Sequence, residues 1–508
     1  MVKTLKVILW DEEVGRLSWD DKRQMSYFTY NPTFVHRGID ISPLWASIRN
    51  NRGLMPIWGE EQRIYQKLPA FLADSLPDSW GNQLFDLWRQ QNHLSNTEIS
   101  PLDKLSFIGR RGMGALEFVP EYERSKKSER IDVNSLVALA ERIFTEREEA
   151  QILPEESLTM QSLLTVGTSA GGRQPKAVIA INSADGEIRS GQISDLDGYD
   201  YYLLKFGNAD FNSAELEMTY YDLAIKAGIN MMHSELLTVD GSKHFMTQRF
   251  DRKDGKKLHT QTLAAMYPEA NSYEQLISVC RSLHLPEADC EEVYRRMIFN
   301  VLANNTDDHN KNFSFMMDRM GNWRLSPAYD LTYILNMGGV QPNQDHCMFI
   351  RSKLRNISKE DVLQFAFDNG IRKPESIIGD VKNALLQFRT VAVKYAVDEK
   401  WIGRVEATIL SHLKEWGEYE DDKPTLSVEI NGHQVTDVHI EQAYKGNFHL
   451  CAKIDGREKK FVISKNKNEF SLIESLGIAN LTEKQLLTMV EKFVSVSAFI
   501  PCIIQKKQ

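Results

Sequence analysis

Apolar and polar positions alternate through the first thirty residues. "LKVILWD", "VGRLSWD" and "QMSYFTYNP" are rich in aromatic and branched side chains at alternate places, which predicts three short strands joined by turns. The period then lengthens. In "LPAFLADSLPDSWGNQLFDLW", Leu84, Phe85, Leu87 and Trp88 recur at helical spacing behind Asp78 and Ser79, which are suited to capping such a helix. "LSFIGRRGMGALEFVP" sets three glycines among apolar runs and predicts a turn-rich return to strand.

Charge takes over from Arg124 to Glu156. "RSKKSER" and "EREEA" flank a helical pattern at Leu136, Leu139 and Ile143, which predicts a solvated linker helix between two lobes. A second β-rich stretch follows. "TVGTSAGGRQPKAVIAIN" is a glycine-rich turn into a strand, "YYLLKFGN" another strand, and "AELEMTYYDLAIKAGI" a helix stopped at Gly228. "SELLTVDGSKHFMTQRFDR" predicts a hairpin about Asp240 and Gly241. From Ser272 the pattern is mostly helical, and after the acidic "KEWGEYEDDKP" about 80 residues predict a small α/β segment with a final helix.

Bulk properties narrow the class. With 508 residues, 42% hydrophobic and 26% charged, the chain suits a globular protein of two or three domains. Its five cysteines are odd in number, widely spaced and lack a C-x-x-C pair, which points to a reducing cytoplasm and away from a disulfide framework or zinc site. The apolar run at Val7 to Trp10 is too short for a signal-peptide core, and no run approaches a membrane span. A net charge of −9 argues against a surface that grips nucleic acid as a whole.

Candidate chemistry centres on "NTDDHNKNFSF", residues 305–315. Asp307 and Asn312 have the D-x-x-x-x-N spacing of a kinase catalytic loop, in which the aspartate meets the substrate hydroxyl and the asparagine binds magnesium. That spacing alone is common. The order that follows is more specific, because "FSFMMD" turns through Met320, Gly321 and Asn322 into "WRLSPAYDL" and delivers Asp330 as a second metal ligand. Upstream, Lys205 interrupts an apolar strand and needs a partner, for which the next helix offers Glu215 and Glu217. "GTSAGGRQPK" misses the Walker pattern, since Arg173 and Gln174 stand in the Lys and Ser/Thr places, but Gly171 and Gly172 suit a loop over phosphates.

In this order the motifs resemble the HipA family of bacterial serine/threonine kinases, toxins of toxin–antitoxin modules. "LPAFLADSLPDSWG" and "PLDKLSFIGRRGMGALEF" are similar to that family's amino-terminal region, and "SAGGRQPKA", "LLKFGN", "QRFDR", "NTDDHNKNFSF" and "LSPAYDL" to its kinase core. The resemblance implies an α+β, bilobal, protein-kinase-like fold. It has a β-rich amino-terminal region at 1–125, a core at 126–420 with a mostly helical carboxy-terminal lobe, and an accessory α/β domain of unknown role at 421–508.

It also implies roles. Asp307 is the catalytic base, Asn312 and Asp330 bind Mg2+, and Lys205, Gly171, Gly172, His309 and Lys311 contact ATP, with Gln248, Arg249 and Phe250 at the adenine hinge. Ser169 matches the family's autophosphorylated serine, where a phosphate would add about −1.5 to −2 charge beside the nucleotide. The implied substrate is a protein, such as an aminoacyl-tRNA synthetase or another translation component. The implied partner is a helix-turn-helix antitoxin, with DNA contacted only through it. Gln248 departs from the family's "ERFDR", and Pro175 replaces a common glutamate. Two alternatives stay open: a small-molecule kinase, and a pseudokinase that binds an antitoxin.

Overall fold

The computed structural model describes residues 2–50, 53–56, 64–94, 98–122, 130–146, 157–167, 174–192, 198–336 and 341–420, and beyond these five strands between Val428 and Ser475. The chain forms two units, Met1–Glu418 and Tyr419–Gln508.

In the first unit, strands Thr4–Leu9, Glu12–Asp20 and Met25–Tyr30 form an antiparallel meander, extended by Met55–Pro56 on one edge and Leu116–Val119 on the other. Alternation explains its inner face, since Leu5, Val7 and Leu9 are buried on a core that includes Phe71, Leu102 and Leu105. Asp78 caps helix Ser79–Gln91 by accepting the Gly81 N–H at 2.8 Å. The "LSFI" run is not strand. It closes helix Pro101–Ile108, whose capping box joins Ser100 and Asp103, and only "LEFV" returns to the sheet.

A second antiparallel sheet has the order Ile188–Ser190, Lys176–Asn182, Tyr199–Lys205, Ser242–Gln248, Ser234–Val239. Its last hairpin turns at Asp240 and Gly241, with φ of 47° and 83°, the left-handed pair that suits strand twist. Helix Val133–Glu146 forms, but the solvated linker is overturned: Leu136 and Ile143 are fully buried and Leu139 is 3% exposed. They share a core with Trp80 and Leu84 from the amino-terminal region and Ala177 and Ile179 from this sheet. The flanking charges hid an apolar stripe worth about 1.5–3 kcal/mol for each large side chain it buries.

The mostly helical part comprises Tyr273–Ser282, Glu287–Leu302, Lys359–Asp368, Pro374–Leu385, Phe388–Lys394 and Glu399–Glu415. Between these helices, strands His259–Thr262, Ser314–Met317 and Trp323–Leu325 make a small antiparallel sheet. Specific hydrogen bonds tie the amino-terminal region to this part, among them Tyr65 Oη to the Ala264 carbonyl at 3.1 Å and the Thr262 N–H to Asp74 at 2.9 Å. No described helix is long and apolar enough to cross a membrane.

In the second unit the described residues form one five-stranded antiparallel meander, Val428–Ile430 through Glu469–Ser475. The final helix of the sequence reading lies outside the described residues.

Candidate active site

Sheet register builds the first half of the site. Lys205 stands opposite Lys176 on one neighbouring strand and Phe245 on the other. Both lysines are buried, at 6% and 3% exposure, an arrangement that repels unless carboxylates compensate. The Lys205 ammonium donates to Glu217 Oε1 at 2.5 Å and to Asp330 Oδ1. Burial pulls the Lys205 pKa down, but Asp330 and Glu217 outweigh it and hold the ammonium above its ordinary value. At Asp330 burial is likewise overcome by Lys205 and Lys176, which hold the carboxyl down at about 2.

Helix Ser213–Lys226 decides between the two glutamates. Residues two apart lie on different faces of a helix. Glu217 turns inward to Lys205, while Glu215 pairs with Lys243 at 3.6 Å. Asp78, at the start of helix Ser79–Gln91, adds a third carboxylate that acts electrostatically on buried Lys176, and Trp80 Nε1 donates to the Lys176 carbonyl at 3.1 Å. The sequence pattern passed over Lys176 and marked Asp78 only as a helix cap. A lysine opening an apolar strand was the available signal for the first; nothing local tied the second to the site.

The second half is the polar loop. Helix Glu287–Leu302 ends at Ala303, and Asn304 takes the left-handed conformation, φ 57°, that terminates helices. Asn312 donates its amide nitrogen to the Asp307 carbonyl at 2.7 Å, so its side-chain oxygen is left for another group. His309 Nε2 lies 3.9 Å from Asp307 Oδ1, and Asp307 is half exposed. The hairpin then returns through Trp323–Leu325, and Asp330 sits five residues past that strand with φ 60°. A left-handed non-glycine residue costs of order 1–3 kcal/mol, which surrounding contacts must hold. The Ala328 N–H bonds the Asn230 carbonyl at 2.8 Å, and Tyr329 Oη donates to the Lys311 carbonyl at 2.8 Å.

These two halves meet. Asn312 and Asp330 line one small cleft together with Asp308, Asn305 and Asn300. Phe250 stacks on Tyr329 with ring centroids 5.6 Å apart, which brings the "QRFDR" segment to the same residues. The other two hinge candidates are committed elsewhere: Gln248 reaches Asp200 at 3.4 Å, and the Arg249 guanidinium clasps Asp251 at 2.6 and 2.8 Å. Arg249 therefore has only its backbone carbonyl to offer a ligand, its N–H being bonded to Tyr201. Ser169, Gly171 and Gly172 lie outside the described residues.

The residues present fit a magnesium–nucleotide pair. No described cluster of three His, Cys, Asp or Glu side chains could hold a metal by itself. Magnesium, however, commonly takes one or two protein oxygens and completes its octahedron with phosphate and water, a donor set that Asn312 and Asp330 supply. Two buried lysines beside them match the negative charge such a ligand carries.

Two family models match this chain: the HipA N-terminal domain over residues 5–119 and the HipA-like C-terminal domain over 168–388. The chain belongs to the HipA family. A curated relative, the serine/threonine-protein kinase toxin HipA of Shewanella oneidensis, is 22% identical over 363 residues, 65% of this chain and 75% of that one. A putative kinase of Haemophilus influenzae is 25% identical over 208 residues, 36% of this chain and 59% of the relative. Among solved structures, the HipA, HipB and operator DNA complex of Shewanella oneidensis matches with a TM-score of 0.59 at 18% identity, covering 84% of this chain and all of that one. The chain thus has the HipA fold.

Proposed function

We propose that this HipA-family protein is an ATP- and magnesium-dependent kinase that phosphorylates a serine or threonine of a protein. The observation that carries the reading is Lys205 held between Glu217 and Asp330, with Asp330 and Asn312 lining one cleft. Phosphoryl transfer needs positioning and charge stabilisation more than covalent chemistry from the protein, and these residues supply both. Lys205 meets phosphate oxygens, its charge secured by Glu217. Asp307, half exposed in the same polar loop as Asn312, accepts the proton of the attacking hydroxyl. Asn312 and Asp330 hold magnesium, which when bound offsets the charge spread over the transferring phosphoryl group. Phe250 and the backbone around it face the adenine, and His309 and Lys311 lie along the phosphates.

Regulation and partners follow from the same reading. Phosphorylation of Ser169 adds charge beside the nucleotide and switches the enzyme off. A helix-turn-helix antitoxin is the partner, by analogy with the HipA, HipB and operator DNA complex. The substrate is a component of the translation machinery.

The test is transfer of labelled phosphate from Mg-ATP to the protein itself and to lysate proteins, read by phosphoprotein mass spectrometry. Wild type is expected to label serine or threonine, and Asp307→Asn and Asp330→Asn to abolish it. Absence of transfer by wild type, or transfer undiminished in Asp307→Asn, overturns the proposal. Label found only on small molecules would move the protein to the small-molecule kinases.

A further inference from the structure

Asp308, next to Asp307, is as polar as its neighbours in sequence, yet it is 1% exposed. Its carboxylate is fully enclosed and accepts three hydrogen bonds: from Tyr273 Oη at 2.7 Å, from His346 Nδ1 at 2.8 Å and from the Cys347 backbone N–H at 2.8 Å. The donors are themselves ordered. Asn300 donates to Tyr273 Oη at 3.0 Å, and Asn305 donates to the Asn300 side-chain oxygen at 2.8 Å, so one chain of bonds runs from helix Glu287–Leu302 into the loop. Cys347, fixed by its backbone to Asp308, points its thiol at Asp307, with Sγ 3.8 Å from Oδ1. Cys347 is exposed, whereas Cys280 and Cys290 are buried.

We propose that Asp308 is the positioning residue of the site: by clamping residues 346–347 across the loop it places the Cys347 thiol against Asp307 and fixes that carboxylate's orientation. The proposal rests on the kinase reading for its catalytic consequence but not for its geometry. Two neighbouring aspartates thereby divide the work. Asp308 is sealed and multiply bonded, which suits an anchor. Asp307 is half exposed, which suits contact with a substrate. The thiol suits its part because partial desolvation of the sulfur, together with the charges of Asp307 and Asp308, pushes its pKa up to about 12, so it stays a protonated donor at neutral pH.

The experiment uses the full chain with Asp308→Asn, Cys347→Ala, Cys347→Ser and His309→Gln. Asp308→Asn is expected to lower kcat about tenfold or more while KM for ATP stays within about twofold, since a small misplacement of a reacting group is felt in the chemical step. Cys347→Ala is expected to lose about threefold to tenfold in kcat, and Cys347→Ser, which keeps a donor, to recover most of it. A second readout needs no activity: alkylation of the Cys347 peptide by iodoacetamide at pH 8, followed by mass spectrometry. Asp308→Asn should speed it at least about fivefold, as a neighbouring charge that suppresses the thiolate is lost.

Unchanged alkylation in Asp308→Asn overturns the proposal, and so does a kcat loss found in His309→Gln but absent from both Cys347→Ala and Asp308→Asn. If wild type transfers no phosphate but alkylation responds as expected, the kinase reading fails and the clamp stands. Where Asp308→Asn does not fold, Tyr273→Phe removes one of the three donors to Asp308 without changing its charge, and the kcat measurement applies: a loss at little-changed KM is expected, and an unchanged kcat overturns the proposal.

Discussion

Two buried ionic clusters in the first unit look alike on paper and differ in what surrounds them. One is Lys205, Lys176, Glu217 and Asp330, which reaches the cleft. The other is Arg249, Asp251 and Arg252 of "QRFDR" with Lys257 and Glu117, which seals the seam between the amino-terminal region and the core. In the sealed cluster Asp251 is fully buried and accepts from Arg249, from Arg252 at 2.7 Å and from the Gly114 N–H at 2.6 Å. Lys257 bonds Glu117 at 2.8 Å and the Arg110 carbonyl at 2.6 Å. Each carboxylate there is answered from inside the protein. In the cleft cluster Asp330 is 37% exposed at the side chain, in strained backbone, and meets Lys205 through Oδ1. A carboxylate held in a strained, partly open place is what a ligand site looks like, and carboxylates bonded within the protein are what a structural joint looks like.

That contrast can be broken by mutation. The largest expected effect is in the polar loop that supplies Asn312: Asp307→Asn lowers phosphate transfer by about 10²–10⁴-fold, the usual range for loss of a general base, with the melting temperature unchanged. A parallel fall in melting temperature would make Asp307 structural. In the sealed cluster Asp251→Ala should do the reverse. It leaves two arginines buried without their carboxylate and costs about 3–5 kcal/mol in denaturant unfolding, and any activity that survives should be normal per folded molecule. Asp251→Ala with wild-type stability would erase the distinction between the clusters.

Leu136→Ala sharpens the boundary between surface charge and core. Its side chain is fully buried beneath a charged flank, so the change should cost about 2–5 kcal/mol, whereas a solvated linker would lose almost nothing. The smallest effect is a pH dependence of the sealed cluster. Burial, only partly opposed by Glu117, lowers the Lys257 pKa from 10.5 to about 8. A lysine depressed on folding carries its cost in full below pH 8 and sheds it as pH rises towards 10.5. Wild type should therefore gain on Lys257→Met by up to about 1.4 kcal/mol per pH unit between pH 8 and 10 in paired melting curves. A difference that is flat with pH would show the ammonium to be well solvated.

The sequence carried most of the local structure. Alternation in the first strands, the Asp78 cap, the Asp240–Gly241 hairpin and the succession of carboxy-terminal helices all follow from patterns a few residues long. So does the hairpin between Asn312 and Asp330, because turn residues and apolar runs are local signals. The need of Lys205 for a glutamate was legible from the cost of burying a lysine; which of Glu215 and Glu217 answers it was not, because both lie within one helical turn.

Other features depended on contacts distant in sequence. "RSKKSER" and "EREEA" describe the flanks of helix Val133–Glu146 and say nothing of Leu136, whose burial is set by Trp80, Leu84 and Ile179. Asp308 and Asn310 looked alike in the loop, yet Asp308 is sealed by Tyr273, His346 and Cys347, up to 39 positions away. Lys176 meets Lys205 only through sheet register, and Asp78 approaches it from nearly a hundred residues upstream. By itself the sequence determined which elements form and which chemical groups they carry, since propensity, capping and turns are local. Tertiary structure alone decided which carboxylates are answered within the protein and which remain open to a ligand, because desolvation and charge pairing depend on everything within a few ångströms, whatever its distance along the chain.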